Sequence, residues 1–203
     1  MAAAPDRAER YRMVFDDDTV MRLYRQTVQD FGLYAGKELS DEEFRMLCSA
    51  AGEMSAKMRA VRIVAASSVS KRDLKNRLIQ KGEDPEQAKA AVAWMSELSL
   101  VDDRKTAEQI VSRCVAKGYG LLRAKQALYE KQIPKELWED ALSGYPDQTD
   151  KIMEYLEAKL DDFSDQKAVK RVVDALLRKG HTYGQIRRCL EKLSVDAEDF
   201  PED

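Results

Sequence analysis

Lys117, Gly118, Tyr119 and Gly120, inside CVAKGYGLLRAKQALYEKQI (114–133), come nearest in this chain to a phosphate-cradling loop. Such a loop needs a strand, the spacing Gly-x-x-x-x-Gly-Lys-Ser/Thr and a helix, because amides, an ammonium and a metal-bound hydroxyl must converge on the phosphates. Here the lysine precedes the glycines, no hydroxyl follows them, and the preceding segment has a helical pattern. The pair therefore reads as a joint between helices, with Gly118 at positive φ and Gly120 letting the chain turn before Leu121. His181 is the only histidine, too few for a histidine-rich metal site, and a serine triad has little else to support it. It reads as a helix-joint or surface residue. Asp102 and Asp103 could form an acid/base couple, but adjacent carboxylates ahead of a helix supply an N-cap and a favourable dipole interaction. Cys48, Cys114 and Cys189 are odd in number and widely spaced, which fits reduced thiols rather than a disulfide framework or a zinc site. No catalytic residue, cofactor, metal or small-molecule substrate is expected.

The basic residues carry more promise. Between 165 and 193, Lys167, Lys170, Arg171, Arg178, Lys179, Arg187, Arg188 and Lys192 are set against only Asp165, Asp174 and Glu191. Lys167, Lys170, Arg171 and Arg178 share a helix face opposite Val169, Val172, Val173 and Leu176, so they should be exposed and able to meet phosphates or carboxylates. Arg72, Lys75, Arg113, Lys117, Arg123 and Lys125 form a second rank. The net charge of −3 conceals a segregation: residues 1–55 hold 7 basic and 11 acidic side chains, and the tail SVDAEDFPED (194–203) holds 5 acidic and no basic ones. That leaves 27 basic against 21 acidic residues in 56–193. A polyanion or an acidic protein surface would suit this middle, and a solvated helical surface would explain the charge alone equally well.

The elements that must position these residues are mostly helical. Nine Gly and five Pro in 203 residues, with abundant Ala, Leu, Glu, Lys, Gln and Arg, favour helix. No apolar run is long enough to span a membrane or serve as a signal peptide, so a cytoplasmic protein is expected. YRMVFDDDTVMRLYR (11–25) alternates apolar residues about Asp16-Asp17-Asp18 and predicts a β-hairpin. Ser40 and Glu43 form a capping box opening a helix on which Phe44, Leu47, Ala51, Met54, Met58, Val61 and Ala65 make one apolar stripe, with Gly52 as a place where it could kink or divide.

Beyond residue 66 the chain repeats. NRLIQKGEDPEQAKAAV (76–92), QALYEKQIPKELWEDAL (126–142) and DALLRKGHTYGQIRRCL (174–190) align without gaps, superposing Leu78, Leu128 and Leu176, and Lys81, Lys131 and Lys179. Offsets of 50 and 48 residues point to stacked supersecondary units. Each unit predicts three helices. Ser70 caps Leu74 and Leu78, and Asp84-Pro85 starts Ala88, Ala91, Val92, Met95 and Leu98. Asp102-Asp103 opens Ala107, Ile110, Val111, Cys114 and Val115, then Leu121, Ala124 and Leu128, then Leu137, Trp138, Ala141 and Leu142. The last carries Ile152, Leu156 and Leu160, then Val169 to Leu177, then Ile186, Leu190 and Leu193. The expected boundaries are a hairpin leader 1–40, repeats 41–101, 102–146 and 147–193, and an acidic tail 194–203.

In this order and spacing the residues resemble the bacterial regulatory protein RecX family. Its second repeat has a Leu-Asp-Asp-led helix, matched by Leu100 to Asp103, a Lys-Gly-x-Gly joint, matched by Lys117 to Gly120, and a Leu-x-x-Lys-Gly-Ile-like end, matched by Leu128 to Lys131 and Ile133. The end of the third repeat is matched by Lys179, Gly180, His181, Thr182, Tyr183 and Ile186, and the leader by FGLYAGKELSDEE. Gln132 stands where glycine is usual, Thr106 where an aromatic is common, and His181 in an aromatic place. The resemblance implies a mainly all-α fold of three tandem three-helix repeats, elongated and curved, with a small N-terminal β-hairpin. It also implies a non-enzymatic modulator that lies in the groove of the RecA filament, touches protein and the DNA backbone there, and lowers ATP hydrolysis and strand exchange. An autonomous helix-turn-helix DNA binder and a general α-helical adaptor are the alternatives.

Overall fold

A computed structural model describes residues 5–161 and 163–193, so the acidic tail 194–203 lies outside the described residues. The chain is mainly helical with one two-stranded sheet, as expected, and divides into two compact units, Met1–Asp102 and Asp103–Asp203. No helix among the described residues is long and apolar enough to cross a membrane.

The first unit opens with β1 (Arg10–Val14) and β2 (Val20–Tyr24), paired antiparallel from Arg10 with Tyr24 to Val14 with Val20. Tyr11, Met13 and Phe15 face inward while Arg12 and Val14 are exposed, the alternation a half-buried strand requires. Phe15 meets Phe44 edge to face, with ring centroids 5.1 Å apart, and so ties the turn to the next long helix. A short α1 (Arg25–Asp30) follows, with Thr27 buried. The helix α2 (Asp41–Ala66) starts at the predicted capping box: Ser40 Oγ accepts from the Glu43 amide at 3.2 Å, and the Ser40 amide donates to Glu43 Oε2 at 2.8 Å. α3 (Lys71–Gln80) is capped by Ser70, and α4 (Pro85–Glu97) by Asp84 with Pro85 in the first turn.

Two expectations for α2 are corrected. The helix runs unbroken through Gly52, where a Cβ would meet the Gln87 side chain. Gly52 therefore serves close approach to α4 rather than a kink. The predicted stripe is also displaced in part: Leu47 is buried as expected, but further along Ala56 and Ala60 are buried whereas Met58 and Ala65 are exposed. Small residues decide this: Ala56 and Ala60 on α2 and Ala88 and Ala91 on α4 are essentially inaccessible and join Leu74, Leu78 and Met95 in one core. Alanines let two backbones approach closely, which outweighs burial of the bulkier Met58.

The second unit contains two three-helix groups. α5 (Asp103–Ala116), α6 (Leu121–Glu130) and a 3-10 turn (Lys135–Leu137) leading into the short α7 (Trp138–Leu142) enclose Ala107, Ile110, Cys114, Ala124, Leu128 and Ile133. α8 (Thr149–Lys159), α9 (Gln166–Arg178) and α10 (Tyr183–Lys192) enclose Ile152, Leu156, Val169, Val173, Leu176, Ile186 and Leu190. Leu121 and Leu177, expected among the inward residues, are exposed. The repeat spacing has a backbone counterpart. Gly82, Gln132 and Gly180, related by the same offsets of 50 and 48, all have positive φ, of 88°, 54° and 87°. Gln132 thus keeps the left-handed turn that glycine makes in the other two groups, at a cost of about 1 kcal/mol.

Candidate partner-binding surface

The two groups of the second unit interlock through their helix joints. At the end of α5, Gly118 adopts φ +64°, and the Tyr119 amide donates to Cys114 O at 2.9 Å. At the end of α9, Gly180 adopts φ +87°, and the His181 amide donates to Leu176 O at 3.2 Å. Both turns close the helix with a backbone amide returning to its last carbonyls. They then satisfy each other. The Gly120 amide donates to Lys179 O at 2.9 Å and the Leu122 amide to Gly180 O at 3.3 Å, so orphan donors at the start of α6 find acceptors at the end of α9. Tyr145 adds a hydroxyl donated to Tyr119 O at 2.7 Å, and burial pushes its pKa up to about 12.

His181 belongs to this joint and not to the surface, being 1% exposed. Its Nε2 lies 3.0 Å from the Gly118 carbonyl, which can only accept, so Nε2 carries the proton and donates. The buried Nδ1 has no partner among the described residues. Protonating it would place a new donor where nothing among the described residues accepts; burial, the largest cause, lowers the pKa below its ordinary 6.5 against the opposing Gly118 bond, with a smaller lowering from the nearby Lys179 charge. As pH falls below that ordinary value the unfolded chain binds the proton first, so stability must fall with it. Because His181 is the only histidine, this window is its own. The denaturation midpoint should hold above about pH 7 and decline towards about pH 5, and His181→Gln should flatten the decline. Equal slopes in the two proteins would contradict this role.

Around that joint stands the basic face. On α9, Val169, Val172, Val173 and Leu176 are buried while Lys167, Lys170, Arg171 and Arg178 are exposed. No carboxylate among the described residues forms an ion pair with any of these four; Arg171 Nε donates to Lys167 O at 3.2 Å. Asp165 is occupied elsewhere, capping α9 through the Lys167 and Ala168 amides. Without an ion pair among the described residues, these four ammonium and guanidinium groups present donors that suit anionic oxygens.

The remaining candidates are placed differently. Lys179 is half-buried, its Nζ 3.9 Å from the Tyr155 ring centroid, a cation–π contact that holds it against α8. Arg187 pairs with Glu191 at 3.0 Å, and Arg188, exposed, donates to Gly184 O. Arg123 pairs with Glu130 at 2.9 Å and holds that carboxyl below its usual range. Lys117 is exposed, 6.0 Å from the Tyr119 ring centroid; Lys125 and Arg113 are also exposed. Arg72 (exposed) and Lys75 (half-buried) lie on α3 in the first unit. Asp103 opens α5, with Asp102 before it, where negative charge suits the helix dipole. Cys114 and Cys189 are buried, and burial raises both thiols; Cys48 is exposed. Among the described residues no group of three or more His, Cys, Asp or Glu could hold a metal ion.

A second concentration of cations, Arg10, Arg59, Arg62, Arg77 and Lys81, has no sequence signature. Its members come from β1, α2, α3 and the end of α3, so no local spacing relates them.

Comparison with known proteins gives a consistent outcome. The family model for the second three-helix domain of RecX matches residues 102–142. The regulatory protein RecX of Clostridioides difficile (strain 630) is 26% identical over 193 residues, covering 91% of this chain and 90% of that protein. The regulatory protein RecX of Chlorobaculum tepidum is 31% identical over 141 residues, covering 68% of this chain and 87% of that protein. Among solved structures, a crystal structure of regulatory protein RecX aligns with a TM-score of 0.65 at 18% identity, over 94% of this chain and 97% of that one. RecX from Lactobacillus salivarius aligns with a TM-score of 0.59 at 20% identity, over 71% and 98%. The order of motifs, the helical groups and a relative above 30% identity agree: this chain belongs to the RecX family of regulatory proteins.

Proposed function

We propose that the chain is a cytoplasmic, non-enzymatic regulator that binds the RecA filament on DNA and lowers its ATP hydrolysis and strand exchange. Family membership supports the class of function. The observation that carries the choice of surface is the face of α9, where four neighbouring cations, with Asp174 among them, form no ion pair among the described residues. A nucleoprotein filament presents both protein carboxylates and DNA phosphates, and exposed guanidinium groups recognise either. The net charge of −3 disfavours strong binding to free DNA, so a composite protein and DNA surface suits the chain better than DNA alone. The test is RecA's ATPase on single-stranded DNA, which the protein should lower.

A further inference from the structure

The first unit holds a basic cavity that the reading above does not use. It has a volume of about 460 Å³ and is lined by Arg10 of β1, Arg59 and Arg62 of α2, Arg77 of α3 and Lys81 just beyond it, with Ile63 forming an apolar wall. Three of the five cations have a carboxylate of their own. Arg10 pairs with Asp6 at 2.8 Å, Arg59 with Glu83 at 2.6 Å, and Arg77 with Asp73 at 2.9 Å. Among the described residues Arg62 donates only to neutral oxygens, at 3.2 Å to both the Tyr24 hydroxyl and the Met58 carbonyl. Lys81 forms no ion pair among the described residues, while its carbonyl accepts from Arg59 Nη1 at 2.8 Å.

Five cations and three carboxylates leave two positive charges, supplied by Arg62 and Lys81, both exposed at the cavity. The paired arginines are held in place: Glu83 is buried and also accepts from Ser55 Oγ at 3.0 Å, so the Arg59 wall is fixed before any ligand arrives. The buried Arg59 Nε–H, although close to Glu83, is not aligned on an acceptor. A carboxylate ligand would bring one charge and two oxygens to a cavity lined by five cations, two of them in excess of their carboxylate partners. A phosphate group brings up to two charges and more acceptor oxygens, which the forked donors of arginine match. We propose that this cavity binds a phosphate group, with Arg62 and Lys81 supplying the attraction and the paired arginines shaping the site. The inference rests on the first unit alone and is independent of the filament reading.

The test uses the full chain without RecA, titrated with sodium pyrophosphate and followed by amide NMR shifts. The amides of Arg62, Ser67 and Lys81 should move in a saturable way, and Arg62→Gln with Lys81→Gln should weaken binding about tenfold or more. An oligothymidylate that moves the same amides and is displaced by pyrophosphate would identify nucleic-acid backbone as the source. Response to pyrophosphate but not to the oligonucleotide would identify a small phosphate compound. The proposal is overturned if these amides do not respond in the wild-type protein, if the double variant binds equally well, or if succinate binds as tightly, which would indicate a carboxylate site for a protein partner.

Discussion

Gly120→Ala should lower the stability of residues 103–203 by about 3 kcal/mol. A Cβ at this position would fall on the carbonyl of Gly180 and against the His181 amide, both backbone atoms that cannot swing away. Relief would require the two joints to part, and with them the bonds from the Gly120 amide to Lys179 O and from the Leu122 amide to Gly180 O. Each of those contributes about 1 kcal/mol in addition to the overlap. Glycines at positive φ provide the comparison. Gly118→Val should cost about 1 kcal/mol or somewhat more, since φ is +64° there and the nearest side-chain atom, Lys151 Cβ, lies at 3.3 Å. Gly144→Ala, at φ +69° with nothing within 4 Å, should show the backbone effect alone. Denaturation followed by Trp138 in a Trp94→Phe background reads the second unit. A Gly120→Ala midpoint equal to that of Gly144→Ala would remove the interlock from the account.

Reversing charge on α9 is the corresponding functional experiment. Arg171→Glu with Arg178→Glu replaces two positive charges by two negative ones, seven residues apart on one exposed stripe. The buried row Val169, Val172, Val173 and Leu176 is untouched, so stability should change by no more than about 0.5 kcal/mol per site and the helical circular dichroism should persist. Charge-assisted contacts contribute about 1.5 to 3 kcal/mol each where they are shielded from water, so losing two should weaken RecA inhibition by tenfold or more. The loss should be greatest at low ionic strength, where exposed charges act furthest. Inhibition at the wild-type concentration would take the α9 face out of the binding surface.

Much of this architecture was legible because it is local. Period-two alternation around Asp16 to Asp18 marks the hairpin, Ser40 with Glu43 marks the start of α2, and valines opposite lysines and arginines mark the orientation of α9. Features that failed to show in the sequence join distant residues. His181 reaches Gly118 across 63 positions, and a pattern search sees only a lone histidine after a glycine. Gly120 was legible as a turn residue but not as the point where one backbone touches another. The stripe on α2 misled because counting large apolar residues ignores how closely alanines let helices pack; Met58 lost its place to Ala56 and Ala60. The cavity around Arg62 needs three segments of chain brought together before it exists at all.

Hydrolysis of ATP by RecA on single-stranded DNA, measured while this protein is titrated in, tests the central claim most directly. The account predicts a rate that declines progressively as the protein is added, with the Arg171→Glu, Arg178→Glu variant displaced to higher concentration. An unchanged rate at molar excess over RecA would contradict it.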